Sequence, residues 1–94
     1  MSFDQRMMPH LHALAGVLLA QKMYGRLSMV TSLLAGFSGG GWARLGEDER
    51  AAFVKQMATD FHARAWDDWD YTDKTFSTIK ELIYAEERAL RATA

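Results

Sequence analysis

Cysteine is absent from this sequence of 94 residues, and proline occurs once, at Pro9. Without cysteine there is no disulfide, no thiolate metal site and no cysteine nucleophile. The composition fits a reducing compartment, so we predict a cytoplasmic protein. A chain of this length makes one domain at most, and we predict a single domain over residues 1–94.

Long apolar runs are also scarce. The most apolar stretch, residues 11–20, is too short to cross a bilayer before Lys22 and Arg26 interrupt it. We interpret it as a core helix and predict no membrane association. An export signal is the alternative, although no A-x-A cleavage site follows Ala20.

No stretch of useful length alternates apolar and polar residues, which argues against strands. We predict an all-α fold, a small three- or four-helix antiparallel bundle that forms an oligomer. The predicted elements are an apolar helix or helix pair over 9–36 that starts at Pro9, a glycine-rich loop over 36–46, and helices over about 47–68 and 71–92. The alternative is a long helical hairpin in which one helix continues through residues 66–71.

The apolar residues of the N-terminal half repeat with helical spacing and surround much of the helix. Such a helix needs cover on several sides, which a chain this small supplies poorly. We therefore predict self-association, and the two-fold dimer is the commonest form. The residues assigned to this contact are Leu19, Met23, Leu27, Val30 and Leu34.

Charge is divided unevenly along the chain. Residues 1–46 carry four basic residues and one acidic residue, a net charge of +3, whereas residues 47–94 carry seven basic and eleven acidic residues, a net charge of −4. This pattern lacks the concentrated basic stripe that duplex nucleic acid requires. Single-strand binding through Arg6, Lys22, Arg26 and Arg44 is an alternative that we do not favour.

The glycine-rich segment contains a match to G-x-S-x-G around Ser38. In hydrolases this motif joins a strand to a helix, and here a helical pattern precedes it. The three histidines lack the spacing of paired metal ligands on a helix, so we predict no metal and no cofactor. A ligand or metal pocket near His62, with Asp60 and Tyr71, is a second alternative.

The segment between the last two predicted helices combines aromatic and acidic side chains. Tryptophan and tyrosine anchor many protein interfaces, and aspartates around them steer a basic partner. We assign partner binding to Trp66, Asp67, Asp68, Trp69, Asp70 and Tyr71, together with Trp42 from the glycine-rich segment. The sequence thus favours a non-enzymatic protein–protein interaction module, as an adaptor, an inhibitor or an accessory or regulatory subunit of a larger assembly.

Overall fold

The computed structural model describes residues 1–62 and 74–92, and within these ranges all regular structure is helical, which confirms the all-α prediction for them. In chain order the helices are α1 (Phe3–Ala20), α2 (Tyr24–Ser38), α3 (Gly41–Arg44), α4 (Glu47–Asp60) and α5 (Lys74–Ala92). None of these described helices is long and apolar enough to cross a bilayer. The contacts divide the chain into unit 1, Met1–Arg44, and unit 2, Leu45–Ala94. The single domain and the bundle stay predictions.

Helix α1 begins at Phe3 and not at Pro9, so the predicted start was wrong. Ser2 precedes the helix in an extended conformation, and its backbone N–H donates to Oε1 of Gln5 at 3.1 Å. Asp4 adds a negative charge to the first turn, where the helix dipole favours it. These signals outweigh Pro9, which lies inside α1 and deprives the Gln5 carbonyl of its usual donor.

The apolar N-terminal region is a pair of helices. The N–H of Lys22 donates to the Leu19 carbonyl at 3.1 Å, and that of Met23 donates to the Leu18 carbonyl at 2.9 Å. Lys22 has φ 60°, and these bonds make the Schellman motif that ends many helices. Gly25 lies inside α2, so the break between the two helices is at Lys22 and not at a glycine.

In unit 1, α1 and α2 run antiparallel. The turn at Lys22 joins them at one end, and at the other end the rings of Phe3 and Phe37 lie 6.2 Å apart, edge to face. The buried side chains recur with helical spacing on both helices, as the apolar pattern indicates. They are Phe3, Met7, Leu11, Leu14 and Leu18 from α1 and Val30, Leu34 and Phe37 from α2.

The glycine-rich segment is not the continuous loop predicted over 36–46. Helix α2 continues to Ser38, and residues 41–44 form the short helix α3. Gly40 between them has φ 76°, which glycine adopts readily. A β-carbon on Gly41 would lie 2.8 Å from the carbonyl oxygen of Gly36, so close packing of the backbone explains a glycine there.

In unit 2, α4 and α5 also run antiparallel. At one end, the ring centroids of Phe61, directly after α4, and Phe76, near the start of α5, lie 6.1 Å apart. Toward the other end, Val54 of α4 and Leu90 of α5 line a common groove. The buried core residues are Val54, Met57, Phe61, Phe76, Ile79 and Ile83.

Helix α4 starts at Glu47, as the sequence predicts, and ends earlier than expected. The N–H of Gly46 donates to Oε1 of Glu49 at 3.1 Å, which fixes the start at Glu47. At the other end, the N–H of His62 donates to the Thr59 carbonyl at 3.2 Å, and the helix ends at Asp60. A helix that continues from residue 47 to 68, or through the whole segment as one long helix, was therefore wrong, because residues 61 and 62 are not helical. The predicted end near residue 68 and the predicted start at 71 themselves lie outside the described residues.

Candidate functional site

Most of the predicted partner-binding surface lies outside the described residues. This applies to Trp66, Asp67, Asp68, Trp69, Asp70 and Tyr71. Their assignment as an acidic and aromatic contact surface stays a prediction from the sequence.

Trp42 is buried in unit 1, with 4% of its surface exposed. Helix α3 directs its ring against Phe3, at 4.9 Å between ring centroids, and against Phe37, at 6.4 Å. Aromatic pairs at such distances stabilise a core beyond the area that they bury. This position corrects the assignment of Trp42 to a partner-binding surface, because its ring already packs within the chain.

The predicted self-association stripe is divided between core and surface. Val30 is fully buried and Leu34 is 8% exposed, so their assignment to a free surface was wrong. Both residues belong to the buried side of α2. Leu19 is 58% exposed, and Met23 and Leu27 are half-buried, so these three keep apolar area in contact with water.

Unit 1 exposes apolar side chains at the turn between α1 and α2. Tyr24, the first residue of α2, is 61% exposed and lies at the same end of the hairpin as Leu19. We call Leu19, Met23 and Tyr24 the tip patch. The apolar spacing did not single out Tyr24, because its exposure depends on a turn at Lys22 that no glycine marks.

The basic residues of unit 1 lie in two pairs. Arg6 belongs to the start of α1 and Arg44 ends α3, and the aromatic cluster holds these two elements together. Lys22 follows α1 and Arg26 lies in the first turn of α2, so both are at the opposite end of the hairpin. The 18 residues of α1 span about 27 Å. A single-stranded nucleic acid would have to extend along this length to contact all four basic residues.

Formal charge changes sign at the unit boundary. Unit 1 contains four basic residues and one acidic residue, a net charge of +3, and unit 2 contains seven basic and eleven acidic residues, a net charge of −4. The charge change seen in the sequence therefore coincides with a structural division between Arg44 and Leu45.

The histidines and Ser38 have no shared site in the described part of the chain. Within residues 1–62 and 74–92, no three histidine, aspartate or glutamate side chains converge as metal ligands. His10 is half-buried, and His12 and His62 are exposed. Ser38 is the last residue of helix α2, whereas the serine of a nucleophile elbow follows a strand. The pocket predicted near His62 includes Tyr71, which lies outside the described residues.

A groove of about 440 Å³ opens between α4 and α5 in unit 2. It lies toward the start of α4 and the end of α5, away from His62. Its lining combines aliphatic and charged side chains, namely Ala51, Val54 and Lys55 from α4 and Glu87, Leu90 and Arg91 from α5. Nη2 of Arg91 lies 3.1 Å from Oε1 of Glu87. The sequence pattern did not reveal this groove, because it arises where both buried stripes end.

No protein-family model, curated protein or solved structure matches this chain significantly. Function therefore rests on the residues and geometry described above. Among the described residues, the tip patch of unit 1 exposes large apolar side chains, and the groove of unit 2 is open between α4 and α5.

Proposed function

We propose that the chain is a non-enzymatic interaction module that acts stoichiometrically, as an adaptor, an inhibitor or a small subunit of a larger assembly. The observation that carries this proposal is the tip patch, where Leu19 and Tyr24 each expose more than half of their surface. Full burial of a large apolar side chain contributes about 1.5–3 kcal/mol. A partner that covers the tip patch recovers part of this free energy, and no helix of the tip has to form on binding because α1 and α2 are already folded.

The proposed occupant of the tip patch is unit 2 of a second copy of the chain. Lys22 and Arg26 flank the patch, so a tip-to-tip dimer would bring like charges together. Unit 2 carries a net charge of −4 and attracts these cations. A two-fold dimer in which unit 1 of each copy contacts unit 2 of the other satisfies the symmetry and pairs opposite charges.

The mass of the protein in solution tests this contact. We expect the wild-type chain to sediment in a concentration-dependent equilibrium between monomer and dimer. The double variant Leu19→Ala, Tyr24→Ala should weaken the dimer by about tenfold or more, since it removes apolar area from the interface. A matched control, Ser28→Ala with Ser32→Ala, changes exposed polar positions of α2 and should leave the equilibrium unchanged. A wild-type chain that stays monomeric, or equal dimer affinity in the tip variant, would contradict the proposal.

The acidic and aromatic segment is proposed as the surface for a different protein with a basic face. The support is its sequence, because tryptophan and aspartate together suit a desolvated, charge-steered contact. The double variant Trp66→Ala, Trp69→Ala should lose recovery of that partner in affinity capture while its circular dichroism spectrum stays helical. Unchanged recovery would remove the segment from the proposed interface.

A further inference from the structure

We propose that the groove between α4 and α5 binds a small amphipathic anion, an aliphatic chain that ends in a carboxylate. This site is separate from the tip patch and does not depend on the interaction function proposed above. Its volume of about 440 Å³ lies within the range of roughly 300–1,000 Å³ that is typical of small-molecule sites.

The groove lies where the fully buried stripes of both helices end. At the other end, the rings of Phe61 and Phe76 fill the space between α4 and α5. The buried stripe of α4 ends at Val54, and one turn earlier the facing position is the small Ala51. The buried stripe of α5 ends at Ile83, and the next turn presents Glu87. The helices therefore stay paired but leave a gap.

The apolar part of the lining is aliphatic. Ala51, Val54 and Leu90 contribute methyl and methylene groups, and no aromatic ring belongs to the lining among the described residues. An aliphatic chain gains the hydrophobic contribution of burial in such a groove without requiring a hydrogen-bond partner. The lining thus favours an alkyl group over a planar aromatic or polar ligand.

The charged part of the lining selects an anion. Lys55 and Arg91 supply two positive charges against the single negative charge of Glu87, in a unit whose net charge is −4. Arg91 contacts Glu87 through Nη2, and a guanidinium group has five N–H donors, so it also has donors for a second acceptor. Lys55 is exposed, and long cationic side chains pack their stems on apolar surface while the charged end stays in water. A carboxylate is the head group that this excess of positive charge in the lining attracts.

Titration of the full-length, ¹⁵N-labelled chain with octanoate tests the proposal. We expect saturable amide shifts centred on Val54 and Leu90. Octanol and octylammonium carry the same alkyl chain with a neutral or positive head, and both should bind more weakly than octanoate. Octylammonium binding as tight as octanoate, or octanoate shifts that do not saturate at the groove, would overturn the assignment of an anion site.

Two variants locate the site. Ala51→Leu adds bulk to the lining and should weaken octanoate binding by tenfold or more. Ala52 is exposed like Ala51 but does not line the groove, so Ala52→Leu should bind as wild type does. Lys55→Gln should weaken octanoate about two- to fivefold, the range for an exposed ion pair, and Lys74→Gln should have no effect. The proposal would be overturned if Ala51→Leu and Lys55→Gln both bound octanoate with the affinity of the wild type. If Ala51→Leu fails to fold, Lys55→Gln compared with Lys74→Gln decides it.

Discussion

At the scale of single residues, Lys22 adopts a backbone conformation that glycine usually supplies after a helix, with φ 60°. In this conformation a β-carbon crowds the following carbonyl oxygen, at a cost of roughly 1–2 kcal/mol. The packing of α1 against α2 offsets this cost, because the chain must reverse between Ala20 and Tyr24 for the two helices to pair.

We predict that Lys22→Gly raises the free energy of unfolding by about 1 kcal/mol, since glycine accepts the left-handed conformation without steric conflict. Lys22→Ala removes the same charge but keeps the β-carbon, so it should give no comparable gain. Urea denaturation followed by circular dichroism measures both variants. Equal stability of Lys22→Gly and Lys22→Ala would show that backbone strain at this position is negligible.

At the scale of helices, the glycines of unit 1 have contrasting surroundings. A β-carbon on Gly16, inside α1, would meet nothing within 4 Å, whereas one on Gly41 would lie 2.8 Å from the carbonyl oxygen of Gly36. The first glycine weakens its helix without a packing benefit. The second allows α3 to approach the end of α2 and thereby brings Trp42 into the core.

Alanine substitutions at these two glycines should therefore have opposite effects. Gly16→Ala should stabilise the fold by about 0.5–1 kcal/mol, the difference in helix propensity. Gly41→Ala should destabilise it by about 1–3 kcal/mol, the usual cost of overpacking. Thermal unfolding of both variants checks this, and the tryptophan fluorescence, to which Trp66 and Trp69 also contribute, should change only in Gly41→Ala. Equal stability of the two variants would contradict the close approach at Gly41.

Helices were predictable from the sequence where several local signals agree. The acidic residues after Gly46 and the apolar spacing after them correctly predict the start of α4. The start of α1 was not predicted because proline is commonest in a first helical turn, whereas here the hydrogen bond between Ser2 and Gln5 caps a helix that begins six residues before Pro9. The turn at Lys22 was undetermined because it depends on packing between two helices, which local composition does not encode.

The candidate surfaces were less predictable than the helices. The apolar spacing places Leu19 and Val30 on one predicted contact stripe. In the folded hairpin the side chain of Leu19 is exposed and that of Val30 is buried. The groove of unit 2 depends on which residues of two distant helices face each other, and a single helical pattern carries no such information. Exposed apolar area is a property of packed elements rather than of one element.

At the scale of the whole molecule, opposite net charges of +3 and −4 belong to different structural units. Contact between unit 1 of one copy and unit 2 of another should therefore weaken as salt increases. Raising ionic strength from about 0.1 to 1 M shortens the Debye length from ~10 to ~3 Å. We expect the dimer dissociation constant from sedimentation equilibrium to rise several-fold, and Lys22→Gln to reduce this dependence. A dimer that tightens in salt would indicate the tip-to-tip arrangement instead.

The contact between Phe3 and Trp42 also has a consequence for synthesis of the protein. It joins the first residue of α1 to α3, so the aromatic cluster cannot form before Trp42 has been added to the growing chain. Helical units rich in local contacts fold in microseconds to milliseconds, whereas the ribosome adds about 5–20 residues per second. Closure of this cluster is therefore limited by when Phe3, Phe37 and Trp42 become free to meet, and not by the packing of the helices itself.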